Sequence, residues 1–400
     1  MKSKSKAPGR AEKTQILVVG GGPVGLCAAL LAARRGLDVT LLEQSFRGYA
    51  RGHATILHPS SLRLLAELGL SQQLLSAGRP LSSVRLHAVD GSVLTLELPL
   101  PALTVPQTRL EEILLKALHR ENVQLRSSCE LTRLEPGADS VLATVERRQL
   151  VGLGSPANYN EWQPMSSSLV EAQFVIGADG YESFVRSALG ADNVIAGTLE
   201  TFAMFEGPAF PSSSCLELSF ESDLTSAIYP LADARARWGF QIASALDRQP
   251  DLELLQTLLE ERVSWLADKP EGVDWSIVTH FERRVARHFG RERVWLAGDA
   301  AHVTHPFGGQ SMNGGLNEAH DLVERMAECL FAKKPLATLE QWGAEREREW
   351  HKLLGLHAAI ESKPGAPPWL ADQAARIIPT LPASGRDLQH LLRELGLIVR

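Results

Sequence analysis

Six residues near the start of the chain, Gly20-Gly-Gly-Pro-Val-Gly25, carry the clearest chemistry in the sequence. They follow a short apolar run rich in branched residues, Gln15 to Val19, and precede a helical pattern with Leu26, Ala29, Leu30 and Ala33 on one side. In that context G-x-G-x-x-G is a phosphate-binding turn. Gly20 permits the tight turn, Gly22 lets a pyrophosphate approach the backbone, and Gly25 lets helix and strand pack closely. From Val24 the pattern turns helical, and the amides at the helix start would face the phosphates with the favourable end of the dipole. Glu43, followed by Gln44, ends the next strand, where an acid accepts hydrogen bonds from a ribose diol and disfavours a 2′-phosphate. The nucleotide is then NAD-like or the ADP half of FAD, and this turn does not choose between them. An ordinary strand-to-helix turn would use glycines as well.

Two later segments end in a similar way. Val175-Ile-Gly-Ala-Asp-Gly180 and Val294-Trp-Leu-Ala-Gly-Asp299 read as short buried strands closed by glycine and aspartate, which return the chain to the first sheet. An ionised Asp299 at a buried strand end is costly unless it accepts hydrogen bonds. Ligand hydroxyls or helix amides would supply them, and so would a plain N-cap role. No acid, base or nucleophile constellation stands out elsewhere. Cys27, Cys129, Cys215 and Cys329 lie far apart, without C-x-x-C or zinc spacing, so no metal is expected.

The elements that must position these groups follow from periodicity. Strand, glycine turn, helix ending at Gly36 and a second strand, Leu37 to Glu43, make a βαβ unit with a right-handed crossover, so the first domain is α/β. Residues 60–70 and 110–118 read as helices, and 84–98 alternates about an Asp90-Gly91 turn as a hairpin. Further strand-like runs lie at 131–146, 215–220 and 238–243. The polar, turn-rich stretch 152–168 reads as a long loop at a hairpin tip. His305 to Gly314 reads as a glycine loop, and after Gly315 a helix carries Leu316, Ala319, Val323, Met326 and Leu330 on one face. The remainder is helical with proline-rich interruptions near 364–368 and 379–382.

Composition bounds the function. Four hundred residues, 44% of them apolar, suffice for about two domains with a sizeable core. A net charge of −6 supplies no positive field for nucleic acid or an anionic bilayer. The cysteine pattern makes a reducing cytoplasm the default location. The basic opening stretch lacks the apolar core of a secretory signal and reads as a mobile tail. The uncharged run Ile16 to Ala33 is broken by Gly-Gly-Gly-Pro, so no transmembrane segment is expected.

Gly20 to Gly25, Gly177-Ala-Asp-Gly180 and Gly298-Asp-Ala-Ala-His302, in this order and spacing, resemble the class A FAD-dependent monooxygenases, the para-hydroxybenzoate hydroxylase-like family. The resemblance spans Gln15 to Leu330. It implies that Gly20, Gly22, Pro23, Val24, Gly25, Glu43 and Gln44 hold the ADP of FAD, and that Gly298 and Asp299 meet the ribityl chain. Asp179, followed by Arg186, would serve both FAD and the passing nicotinamide cofactor. Gln107 and Arg109 match the start of a helix that touches the flavin cofactor. Pro306, Gly308, Gly309, Gln310, Ser311, Met312 and Asn313 match the loop beside the flavin, where helix-end amides would stabilise the reduced ring. The chain departs from the pattern at Ser311, often glycine, and at Glu318-Ala-His-Asp-Leu322, where Asp-Ala-x-Asn-Leu is usual. The family's arginine before Ala-x-x-Leu aligns with His53, leaving Arg51 two residues earlier as a further cofactor contact. His53 is either a proton relay titrating near neutral pH or a polar contact to FAD.

The implied fold is α/β: a Rossmann-like FAD-binding sheet interleaved with a mainly antiparallel β-sheet substrate domain, and a helical C-terminus. The expected boundaries are a disordered tail over 1–14, an FAD-binding domain from 15–80, 100–130, 170–190 and 285–335, a substrate domain from 81–99, 131–169 and 191–284, and a helical segment over 336–400. The implied reaction uses NADH or NADPH and dioxygen to hydroxylate an aromatic, phenolic or quinoid small molecule through a flavin hydroperoxide. Alternating large groups, Phe202, Met204, Phe220, Tyr229, Trp238 and Phe240, are the expected substrate walls, although aromatics at such spacing are often core. Tyr229 and His305 are the polar candidates for orienting a phenol; with Pro306 and His53 they are the residues expected nearest the chemistry. The alternatives are a reductase, halogenase or epoxidase on the same fold, an NAD-dependent dehydrogenase, or a non-catalytic flavin-fold binding protein. The lysine and Trp-x-Trp-x-Ile-Pro signature of tryptophan halogenases is absent.

Overall fold

The computed structural model describes residues 11–44, 56–152, 160–209, 214–221, 223–243, 249–266, 270–356, 360–364 and 366–399. Ile16, Leu17 and Val18 are fully buried, as a strand covered on both faces must be. The strand Glu12–Val19 pairs in parallel with Val39–Glu43 on one side, Val18 beside Leu41, and with Asn160–Gly177 on the other, Val18 beside Ile176. Val294–Leu296 and Val123–Ser127 extend the parallel part outward at its two sides. The helix Pro23–Arg34 connects the first two parallel strands. Proline is tolerated at its first turn, and Gly36, at φ +76°, ends it in the left-handed conformation that glycine adopts without strain.

The second sheet is mainly antiparallel, with Trp275–Phe281, Glu200–Pro208, Arg235–Ile242, Leu224–Leu231, Cys215–Glu221, Arg79–Ala88, Val93–Thr104 and Ile56–Leu57 in spatial order. Period-two alternation divides it into two faces. Phe202, Met204, Leu218, Phe220, Ala227 and Tyr229 share one core, while Ala203, Phe205, Trp238 and Phe240 pack in another with the helix Leu252–Arg262. Pro368–Ile377 and Gly385–Glu394 cover the first of these faces, and Leu370, Ile377 and Leu391 join its core. Among the described residues, no helix is long and apolar enough to cross a membrane.

Four local readings change. Residues 131–169 do not join the second sheet. Cys129–Pro136 and Val141–Gly152 form an antiparallel ribbon on Asn160–Gly177, and so belong to the first. Much of the stretch read as a loop over 152–168 is therefore strand, with Gly152 opposite Asn160. A ribbon open to solvent can be polar, which hides it from a hydrophobicity pattern. The first strand starts at Glu12, inside the stretch expected to be tail. The helix after the third motif begins at Gln310, not after Gly315, because Gly309 at φ +64° forms its N-cap. Gly314 and Gly315 lie within it for packing reasons. A Cβ at Gly314 would stand 2.5 Å from Trp350, and one at Gly315 2.7 Å from the Gly298 Cα.

Candidate active site

Val19, Gly177 and Leu296 lie side by side in register, so the glycine segments that follow them open at one edge of the first sheet. Gly20 sits at φ +105°, and any side chain on it would run into the Ala178 carbonyl. One on Gly25 would strike the Gly20 carbonyl. Gly22 differs: among the described residues a Cβ there meets nothing within 4 Å, and no side chain caps the helix it precedes. Beside it the Gly21 amide donates to Glu43 Oε2 at 2.6 Å, with Glu43 half-buried and Gln44 exposed at the strand end. Close packing on both sides of an open, uncapped helix start fits a pyrophosphate.

Gly298, at φ +64°, turns the chain beside Val24 and brings Asp299 to the same edge. Asp299 is exposed at this edge, and its carboxylate makes no hydrogen bond among the described residues. Desolvation pushes its acid range up, against the pull of His302 and Arg284. An acceptor without a donor at an edge lined with amides suits the hydroxyls of a ribityl chain. Behind it, Glu318 accepts from the Gly298 amide at 3.0 Å and from the Trp350 indole at 2.7 Å, and it pairs with His302, which stacks on Trp350 at 3.6 Å.

Asp179 is committed elsewhere. Its Oδ1 accepts from Ser183 Oγ at 2.5 Å and its Oδ2 from the Val185 amide at 3.0 Å, at the start of the short helix Phe184–Ala188. Arg186 donates to the carbonyls of Ala300 and Tyr181, both at 2.9 Å, and so ties the second motif to the third. Arg284 also donates to the Tyr181 carbonyl and lies over the Tyr181 ring at 3.3 Å. Gln107 donates to Glu111 at 2.9 Å, whereas Arg109 is exposed and pairs with Glu112 at 2.9 Å.

The turn from His305 to Gly309 meets the second sheet. Phe307 packs edge-on to Phe202 at 5.3 Å, over Gly239, where any side chain would collide with its ring. His305 stands edge-on to Phe202 at 5.0 Å and to Phe307 at 4.8 Å. Burial pushes His305 down to about 3, and Arg283 and Arg376 act in the same direction, so its imidazole is neutral at ordinary pH. Tyr229 donates its hydroxyl to the Phe307 carbonyl at 2.6 Å, and burial holds the phenol well above its usual range. Tyr229 thus fixes the turn. Pro306 and Ser311 are half-buried, while Gly308, Gly309, Gln310, Met312 and Asn313 are buried. Asn313 accepts from the His58 amide at 2.8 Å and donates to the carbonyls of Ile56 and Gly309, both at 2.8 Å.

Of the expected substrate walls, Phe202, Met204, Phe220 and Tyr229 share the face that meets Phe307. Trp238 and Phe240 do not. Phe205 pairs with Trp238 and Ala203 with Phe240, so alternation sends both to the opposite face. Arg51 and His53 lie outside the described residues. His58, Gly239, Phe307 and Arg284 escape the sequence reading; the one signal for His58 is a lone histidine in the apolar run Ile56-Leu-His-Pro59.

The FAD binding domain family model matches residues 13–355. The chain is 28% identical over 367 residues to 6-hydroxy-3-succinoylpyridine 3-monooxygenase of Pseudomonas putida, covering 87% of this chain and 88% of that protein. It is 26% identical over 352 residues to 6-methylpretetramide 4-monooxygenase of Streptomyces rimosus, covering 85% of this chain and 60% of that protein's length. The fold matches the crystal structure of p-nitrophenol 4-monooxygenase from Pseudomonas putida with a TM-score of 0.72, over 96% of this chain and 97% of that one, at 21% identity. The chain belongs to the FAD-binding-domain family, and within it to the FAD-dependent aromatic monooxygenases of the para-hydroxybenzoate hydroxylase-like type. FAD is its cofactor.

Proposed function

We propose that the protein uses NADH or NADPH and dioxygen to hydroxylate an aromatic, phenolic or quinoid small molecule. The observation that carries this reading is the meeting of three strand ends at one edge, with an uncapped helix start at Gly22 and an open carboxylate at Asp299. In this reading the turn Gly20–Gly25 and Glu43 hold the ADP part of FAD, and Asp299 takes the ribityl hydroxyls. Bound FAD supplies the redox chemistry, drawing reducing equivalents from the nicotinamide cofactor and activating dioxygen. The chain's own task is to bind, orient and exclude water.

Phe202, Met204 and Phe307, packed in the core behind the turn, give it an apolar backing that suits a site for a ring-shaped substrate. The relatives named for 6-hydroxy-3-succinoylpyridine and 6-methylpretetramide support an aromatic ring as the target. His305, neutral above about pH 3, offers hydrogen bonding without a charge, which suits a phenol. The test is direct. Purified protein should be yellow with one FAD per chain, its NAD(P)H oxidation should rise on adding a phenolic substrate, and labelled dioxygen should appear in the product. Colourless protein that keeps full activity without flavin would overturn the reading.

A further inference from the structure

The family match ends at residue 355, yet the chain beyond it reaches the turn beside the candidate flavin site. Gln310 Nε2 donates to the Ile378 carbonyl at 3.0 Å and to the Leu381 carbonyl at 3.4 Å. Gly308 approaches the Pro379 carbonyl so closely that any side chain on it would collide. His58, fully buried, bridges the same two segments, with Nε2 2.7 Å from the Gly308 carbonyl and Nδ1 3.2 Å from Ser384 Oγ. A carbonyl only accepts, so Nε2 carries the hydrogen and Nδ1 takes that of Ser384. Ser384 Oγ also meets Ser60 Oγ at 3.0 Å.

These ties are not explained by self-satisfaction alone. Gln310 keeps its position although its Oε1 is buried without a partner among the described residues, a state that native structures rarely tolerate. Ile378, Leu381 and Ala383 meanwhile join Phe202, Met204 and Phe307 in one core, so the segment touches the turn and the sheet face together.

We propose that Ile378–Ser384 is a positioning strap: it fixes the turn from His305 to Gln310 against the second sheet and thereby sets how a substrate ring stands against bound FAD. This rests on the FAD reading above. Gln310→Met removes both donors at similar volume. Ser384→Ala unties His58, and Ser384→Thr returns the hydroxyl. Each variant is measured for FAD affinity by fluorescence titration of the apoprotein, for the visible spectrum of the bound flavin, for product formed per NAD(P)H consumed, and for thermal melting.

The dinucleotide turn is built from residues that share no hydrogen bond with the strap, so FAD affinity of Ser384→Ala, a residue outside the cofactor site, should stay within about threefold of the parent. The flavin spectrum should shift, and product per reductant should fall at least about fivefold in Gln310→Met and Ser384→Ala, since small misplacements at a reacting centre are amplified in rate. Ser384→Thr should return to parent values. Parent-like spectra and coupling in both disrupted variants would overturn the strap, as would losses that simply track melting temperature. Should Gln310→Met fail to fold, the Ser384 pair decides the matter alone. An unaltered chain that binds no FAD is a distinct result, which overturns the FAD reading and the strap with it.

Discussion

Glu318 and His302 meet directly behind Gly298, with His302 Nε2 2.8 Å from both carboxylate oxygens. The pair stands under the turn that presents Asp299, so its strength determines how firmly that turn is held. Burial by itself raises Glu318, but the charge and hydrogen bond of His302, with the Gly298 amide and Trp350 indole, outweigh it and hold the carboxyl below its usual range. Glu318→Leu leaves three buried groups without an acceptor and should destabilise the fold by about 3–5 kcal/mol. A lowered carboxyl stabilises above its unfolded value and loses that contribution as pH falls through the folded value. The parent's urea midpoint should therefore drop below pH 4.5, the ordinary glutamate value, more steeply than that of Glu318→Leu. Parallel acid profiles would remove the pair from this role.

Glu111 presents the reverse sign. Burial raises its carboxyl to about 7, against the hydrogen bond from Gln107 and with the charge of Glu43 acting in the same direction as burial. Its Oε2 has no partner among the described residues. A raised carboxyl leaves stability intact below the unfolded value of 4.5 and removes it as pH climbs through about 7. The full span amounts to about 3 kcal/mol. Glu111→Gln should thus gain most of that above neutral pH and almost none in mild acid, read from denaturation midpoints at the two conditions. Equal gains at both would mean that Glu111 is not the titrating group.

The dinucleotide turn is legible in the sequence because its demands are local: Gly20 and Gly25 answer to backbone within a few residues of chain or on the adjoining strand. Alternation on the second sheet marks Phe202, Met204, Trp238 and Phe240 as buried, but a strand has two faces and its own sequence does not say which one meets the turn. Only the pairing of Phe205 with Trp238 decides that. The supports of the site are hidden for a further reason. His58 joins Gly308 to Ser384, and Glu318 joins Gly298 to Trp350, across separations that no periodicity records. The strands within 131–146 are legible, but their place on the first sheet and the strand character of much of 152–168 are not, because backbone pairing, not apolar patterning, defines them.

Gly22 and Gly25 share a motif but answer to different constraints, and alanine separates them. A methyl at Gly25 strikes the Gly20 carbonyl, so Gly25→Ala should destabilise the apoprotein by about 3 kcal/mol, at the upper end of ordinary overpacking. A methyl at Gly22 meets nothing within 4 Å among the described residues. Gly22→Ala should melt near the parent temperature while binding FAD at least about tenfold more weakly, a loss of about 1.4 kcal/mol. Undiminished FAD affinity in Gly22→Ala would place the pyrophosphate elsewhere.

Asp299 separates cofactor binding from folding in a different way. Its carboxyl is raised by desolvation, with no hydrogen-bond donor among the described residues, so the ionised form is disfavoured in the apoprotein although His302 and Arg284 attract it. Replacing it should leave apoprotein melting unchanged or higher at neutral pH, with the difference shrinking in acid as the parent carboxyl becomes neutral. FAD should reverse the order, because hydroxyl donors bond more strongly to a carboxylate than to an amide oxygen. Asp299→Asn should weaken FAD binding about tenfold and Asp299→Ala about a hundredfold, roughly 1.4 and 2.7 kcal/mol. Melting curves with and without FAD, set beside fluorescence titrations, read both effects in one preparation. If Asp299→Ala binds FAD as tightly as the parent, the open carboxylate does not serve the cofactor and the third glycine–aspartate segment needs another explanation.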